Sequence, residues 1–208
     1  MTEEMGLREQ KKRMTREAIT AAAYELTVEK GVAEVTVEEI AREAFVSPRT
    51  VSNYFSSKEE AVLAARSEVT TQMVEEFCGK PSSVPPLETF REIVLDYARN
   101  QPDKLRRVAK MASLEEDNPT LRPYRVAQEA ELVDTLRELI ATRTESDADT
   151  DLYPWLAATA AVSAMMAALE VWSRADFPEG RLPALIEESF AITEAGYPTT
   201  SSAPAVPA

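Results

Sequence analysis

Within FVSPRTVSNYFSSKEEAV, Phe45 to Val62, the residues Pro48, Arg49, Thr50, Ser52, Asn53 and Tyr54 stand almost in a row, with only Val51 among them. A guanidinium fork, two hydroxyls, a carboxamide and a phenol in one short segment can make many hydrogen bonds of fixed geometry. No base stands beside them to activate a nucleophile. The chain has no histidine, which removes imidazole general bases, His-containing triads and His-ligated metals. Cys78 is the lone cysteine; it forms no internal disulfide, agrees with a reducing cytoplasm and reads as an incidental thiol. Glu115, Glu116 and Asp117 cluster, but without a converging second set they read as the solvated end of a helix. No metal-ligand spacing and no Gly-rich phosphate loop is present, so neither metal nor cofactor is expected. The chemistry on offer is recognition.

Charge says where a polyanion could be met. The net charge is -13, yet residues 1–58 carry 9 Lys+Arg against 10 Asp+Glu, and the remaining residues carry 14 against 26. Arg8, Lys11, Lys12, Arg13 and Arg16 cluster near the start. The N-terminal quarter can approach phosphates, whereas the acidic remainder is repelled by them. No run of about 18 apolar residues occurs, so no membrane span is expected, and the first residues lack the apolar region of a signal peptide.

These side chains need elements to hold them. Ile19, Ala22, Ala23 and Leu26 follow the helical period, so a helix is expected over about 11–30, closed by Gly31. Thr36 and Glu39 have the spacing of a capping box and open a short helix carrying Val37, Ile40, Ala41 and Ala44 on one face. After the turn Phe45-Val46-Ser47, Ser47 caps a third helix with Pro48 at its first position and Val51 and Phe55 facing inward. Ser57 and Glu60 form a second box, opening a long helix to about Cys78. GKPSSVPP is a loop by composition. Further helices are expected near 87–100, 102–116, 119–143, 149–174 and 182–196, with no strand pattern. The predicted architecture is all-α, about nine helices, with a domain at 11–57, a larger helical domain at 58–197, and disordered ends at 1–10 and 198–208.

A short helix, a tight turn and a polar short helix together read as a helix-turn-helix. The second helix of such a unit lies in the DNA major groove, so it needs a small buried face and a large polar one. Arg49 can donate a bidentate pair to guanine, Asn53 can pair with adenine, and the Thr50 methyl can touch a thymine methyl; Ser52 shares that outward face. Tyr54 and Lys58 suit phosphate oxygens, as do the helix starts at Thr36 and Lys58, and Ser47 and Pro48 belong to the same DNA-contacting set.

The run TREAITAAAYELTVEKGVAEVTVEEIAREAFVSPRTVSNYFSSKEEAV resembles the N-terminal domain of the TetR family of transcriptional regulators. The resemblance rests on Gly31, Thr36-Val37, Ile40-Ala41, Val46-Ser47, Thr50, Tyr54-Phe55 and Ser57-Lys58-Glu59. The family commonly has Gly where Phe45 stands and an aromatic where Ser52 stands. The resemblance implies a cytoplasmic, all-helical homodimer paired through the helices near 149–174 and 182–196. It also implies repression at a palindromic operator that a small ligand relieves. The segment LAATAAVSAMMAALEVW, rich in small residues, is compatible with close helix pairing.

The C-terminal half is similar to the subgroup that includes the mycofactocin-system regulator of actinobacteria, some members of which respond to acyl-CoA thioesters. Arg106, Arg107, Lys110 and Arg125 could then hold a CoA-type phosphate; the competing reading is a solvated helix face. Met73, Phe77, Met165 and Trp172 could line an effector pocket; the competing reading is plain core. The expected function is a ligand-responsive DNA-binding regulator. The alternatives are a helical interaction module that does not bind DNA, against which Arg49, Thr50, Tyr54 and Lys58 argue, and an enzyme, for which no catalytic set is present.

Overall fold

The computed structural model describes residues 2–175 and 177–197, all helical or turn, with no strand among them. Nine α-helices follow one another: α1 Thr2–Lys30, α2 Val37–Glu43, α3 Pro48–Tyr54, α4 Lys58–Gly79, α5 Pro86–Asn100, α6 Pro102–Asp117, α7 Arg122–Thr144, α8 Leu152–Arg174 and α9 Leu182–Glu194. They form two compact units. One comprises the chain up to Thr70 with Lys110–Gln128, and the other comprises Thr71–Ala109 with the chain from Glu129 onward. All three boundaries therefore fall inside helices: α4, α6 and α7 each contribute to both units.

In the first unit, α1 is longer than the apolar period indicates. Residues 2–10, expected to lie outside any helix, continue it. Leu7, Arg8, Glu9 and Gln10 are good helix formers, and only the apolar stripe is missing there. Gly31 ends α1 with φ 81, a left-handed conformation that suits glycine. Thr36 then caps α2, with its hydroxyl accepting from the Glu39 amide and the Glu39 carboxylate accepting from the Thr36 amide. At the start of α4 the reciprocal half of the expected box is displaced. Ser57 accepts from the Glu60 amide at 3.1 Å, but the Glu60 carboxylate reaches the Ser56 amide at 2.7 Å.

The core of this unit gathers Ile19, Ala23, Ile40, Val51, Phe55, Val62 and Leu63 with Leu114 and Leu121 from far along the chain. Asn118 fastens that distant segment. It is only 8% exposed, its Oδ1 accepts from the Val32 amide at 3.2 Å, and its Nδ2 donates to the Leu114 carbonyl at 2.8 Å. Tyr124 packs on the same core, and its hydroxyl accepts from Ser57 Oγ at 3.3 Å.

One turn residue is strained. Phe45 joins α2 to α3 with φ 54 and is 96% exposed. A left-handed conformation costs an L-residue about 1–2 kcal/mol, and no packing of the ring offsets it. Phe45→Gly is expected to stabilise the protein by about 1 kcal/mol in urea unfolding, the gain being reduced by glycine's greater freedom in the unfolded chain. Equal or lower stability would show the turn to be unstrained.

The second unit packs α5, α8 and α9 against one another. Phe77, Phe90, Ile93, Leu105, Leu136, Met165, Leu169, Trp172, Ile186 and Phe190 are buried there. Arg137 is buried as well. Its guanidinium donates to the Ala148 carbonyl at 2.6 Å and to Asp149 at 2.8 Å, and it lies 4.5 Å from the Trp155 ring. Among the described residues α8 is long and apolar enough to span a bilayer by length and composition alone, a test that a buried core helix also passes. One face of it, through Ala157, Ala161, Met165 and Leu169, is buried in this unit. The expected tail at 198–208 lies outside the described residues, as do the side chains of Glu115, Glu116 and Asp117.

Candidate nucleic-acid interface

Helix α3 has the shape its sequence demands. Val51 is buried and Phe55 caps the C-terminus, its amide donating to the Val51 carbonyl at 3.0 Å. At the other end, Ser47 Oγ accepts from the Thr50 amide at 3.0 Å and lies 2.8 Å from Thr50 Oγ1. With both ends fixed, the outward side chains are presented by a short rigid rod. Ser47, Pro48, Arg49, Ser52 and Asn53 are exposed, while Thr50 and Tyr54 are half-buried. Ser52 Oγ donates back to the Pro48 carbonyl at 3.2 Å, which leaves it an acceptor outward. Arg49 and Asn53 are exposed and make no side-chain hydrogen bond among the described residues. Their donors and acceptors are available to base edges, where such pairs carry sequence information. Tyr54 is half-buried and packs partly on the core beneath the helix.

The flanking candidates are more committed than their types suggest. Lys58 Nζ donates to the carbonyls of Val35 at 2.8 Å and Ala33 at 3.2 Å, tying the start of α4 to the turn before α2. One ammonium hydrogen remains for a phosphate. Thr36 is exposed, but its hydroxyl donates to Glu39 at 3.0 Å and accepts from the Glu39 amide at 3.2 Å. Lys30 closes this corner with a 2.6 Å pair to Glu39. Its hydrogen bond, then those from the Thr36 backbone and side chain, hold the Glu39 carboxyl down at about 2. The corner thus stays ionised, and its contribution is lost only as pH falls from the ordinary carboxylate range through that value.

Two contributors carry no local sequence signal. The Arg16 guanidinium lies 4.5 Å from the Phe55 ring centroid and so fastens α1 to the C-terminal end of α3. Asn118 holds the turn between α1 and α2 from a distance of 86 residues in sequence. Nothing in a pattern search links Asn118 to Val32; the sequence marks Asn118-Pro119 only as a helix break.

The effector candidates fall into different surroundings. Met73, Phe77, Met165 and Trp172 are all buried in the second unit. The Trp172 indole NH donates to the Pro178 carbonyl at 3.2 Å, and Arg106 lies 5.8 Å from its ring. Phe77 is covered by the Arg143 guanidinium at 4.5 Å, which also donates to the carbonyls of Phe77 and Pro81. Arg107 is exposed in the same unit, whereas Lys110 and Arg125 belong to the first. A cleft of about 480 Å³ in the second unit is lined by Glu76, Lys80, Glu92, Ile93, Leu95, Asp96 and Arg99, none of them a sequence candidate. Beside it the Tyr97 hydroxyl donates to Glu76 at 3.0 Å; burial, then this carboxylate, pushes its pKa well above the ordinary phenol value.

The comparisons with known proteins agree with this geometry. Residues 19–65 match the family model described as bacterial regulatory proteins, tetR family, and residues 84–198 match the MftR C-terminal domain. The HTH-type transcriptional regulator TcmR of Streptomyces glaucescens is 31% identical over 156 residues, which span 72% of this chain and 69% of that protein. Thermus thermophilus FadR, a TetR-family transcriptional repressor crystallised with lauroyl-CoA, superposes with a TM-score of 0.59 at 26% identity, over 93% of this chain and 100% of that one. Bacillus subtilis FadR, solved with stearoyl-CoA, shares the fold with a TM-score of 0.55 at 19% identity, over 86% and 98% of the respective chains. A reading helix anchored by Val51 and Phe55, a matching N-terminal family model and a matching C-terminal one lead to a single conclusion: this chain belongs to the TetR family of bacterial regulatory proteins, with a C-terminal domain of the MftR type.

Proposed function

We propose that this DNA-binding regulator acts in the cytoplasm as a homodimeric repressor and leaves a palindromic operator when an acyl-CoA-type ligand binds. The observation that carries the DNA assignment is the free outward pair Arg49 and Asn53 on a helix whose inward face and both ends are fixed. Thr36, Ser47, Pro48, Thr50, Ser52, Tyr54 and Lys58 surround that pair and position it on phosphates. Reading is assigned to residues 11–57, and effector binding and pairing to 58–197. Two symmetry-related reading heads require a two-fold symmetric site.

Exposed apolar residues support the pairing. Leu152, Leu156 and Val171 of α8 and Ile192 of α9 face solvent in the single chain, next to the small residues Thr159, Ser163 and Ala167. The acyl-CoA reading rests on likeness to a repressor crystallised with lauroyl-CoA. An apolar chain suits the neighbourhood of Met73, Phe77, Met165 and Trp172, and a CoA phosphate suits Arg106 or Arg107 of the same unit. Release requires only that the ligand bind one conformer of the dimer better than the one that fits DNA.

The test is a gel shift with the DNA upstream of the protein's own gene, with and without lauroyl-CoA. A shifted band that lauroyl-CoA dissolves is expected. A band indifferent to medium- and long-chain acyl-CoAs would overturn the effector class and leave the DNA reading standing.

A further inference from the structure

Helix α1 overhangs the core it packs on, and the side that overhangs is basic. Its core-facing stripe is Ile19, Ala22, Ala23 and Leu26, of which the first three are buried. At 100° per residue, Arg8 and Lys12 fall within about 20° of Ile19, so they continue that stripe; Lys11 and Arg16 flank it on either side. With a rise of about 1.5 Å per residue, Lys12 lies about 10 Å and Arg8 about 16 Å beyond Ile19 along the helix. The face that meets the core at Ile19 therefore becomes a row of cations where the core ends. Its direction is anchored: Arg16 stacks on Phe55, the cap at the C-terminal end of α3. From Arg16 the helix continues toward its N-terminus as far as Thr2.

Arg8, Lys11 and Lys12 are exposed and hold no ion pair among the described residues, whereas Arg13, on another face, pairs with Glu17 at 3.5 Å. A row of unpaired cations on the inward side of a helix gains nothing from the protein itself. In a chain of net charge -13 this row is a local positive patch, and it attracts a polyanion lying alongside α3. We infer that the overhanging half of α1 is a second DNA-contacting element, with Arg8, Lys11 and Lys12 seated on backbone phosphates of the duplex flanking the site that α3 reads. This rests on the DNA-reading assignment above. It adds contacts that set affinity and salt dependence but not sequence.

The test compares the parent with the triple variant R8Q/K11Q/K12Q, since glutamine keeps the helix propensity of the residues it replaces. The probe is a fluorescein-labelled duplex of about 30 base pairs recovered from a random pool by the parent protein, and binding is followed by anisotropy across a salt series. Each phosphate contact contributes about 0.9 to the slope of log K against log salt. The variant is expected to show a slope shallower by about 2–5 for a dimer, an affinity at least about 50-fold weaker at 0.1 M salt, and an unchanged ranking of mutated duplexes. Its helical content and melting temperature are expected to equal those of the parent. An unchanged slope overturns the inference, whether affinity holds or falls, because loss without a slope change is not phosphate contact. An Arg49→Ala control separates the two levels. If that variant loses binding while the triple variant matches the parent, only the overhang is refuted. If the parent binds no duplex, the DNA reading fails and takes this inference with it.

Discussion

Arg49→Ala is expected to weaken operator binding at least roughly 30-fold at physiological salt while the protein melts at the same temperature as the parent. The guanidinium is exposed and without a hydrogen-bond partner among the described residues, so removing it strands no buried group. Substitutions at such positions change stability by about 0.5 kcal/mol or less. On DNA the same fork is worth about 1–3 kcal/mol of discrimination at each half-site. Over two half-sites the loss is about 2–6 kcal/mol, a weakening of at least roughly 30-fold. Anisotropy titration of the selected duplex measures it, and the accompanying relaxation of preference should be confined to one base pair in each half-site. Asn53→Ala should relax a different pair. If Arg49→Ala binds as the parent does, α3 does not read the operator through this residue.

Asn118→Ala should have the reverse signature, a large loss of stability from a residue on no functional surface. The carboxamide serves two buried backbone groups that have no alternative solvent, the Val32 amide and the Leu114 carbonyl. Truncation leaves both unmatched at about 1–3 kcal/mol each, so a loss of about 2–6 kcal/mol is expected in urea unfolding followed by circular dichroism. Asn118→Asp discriminates between the two bonds. Its carboxylate could still accept from Val32, but it would face the Leu114 carbonyl with a lone pair instead of a donor. The expected result is a loss no smaller than that of the alanine variant at neutral pH. A change within 0.5 kcal/mol for Asn118→Ala would mean that water replaces the carboxamide at both groups.

These two residues also mark the reach of sequence reasoning. Arg49 was legible because its neighbours are local: a Ser47 cap, a Pro48 start and Val51 and Phe55 at helical spacing say which way it faces. Most helix bounds from α2 to α9 were legible for the same reason, being set by caps, prolines and glycines within a few residues, but α7 and α8 begin at Arg122 and Leu152, later than the starts expected near 119 and 149. Asn118 was not, because its partner is 86 residues away and a single polar side chain has no period. Lys58 shows a subtler limit. Its charge invites a phosphate, yet two of its hydrogens go to the carbonyls of Ala33 and Val35, a use visible only once those carbonyls are placed. Apolar type likewise could not tell pocket wall from core for Met73, Phe77, Met165 and Trp172, since both environments select the same residues. For Arg8, Lys11 and Lys12 the charge could be read from the chain, but the face could not. Register has meaning only after α1 is known to run unbroken from Thr2.

The division of α4, α6 and α7 between two compact units has a practical consequence for chimeras. Regulators of this kind invite recombination, with the recognition module of one grafted to the sensor of another at a single splice point. Here a cut after residue 57 or residue 70 would take away Leu114, Asn118, Leu121 and Tyr124, which complete the recognition module's own interior. The transferable cassette is therefore discontinuous. A graft that preserves it must carry two stretches of chain, the N-terminal one and Lys110–Gln128, and its junctions must be placed in register within helical turns rather than in loops.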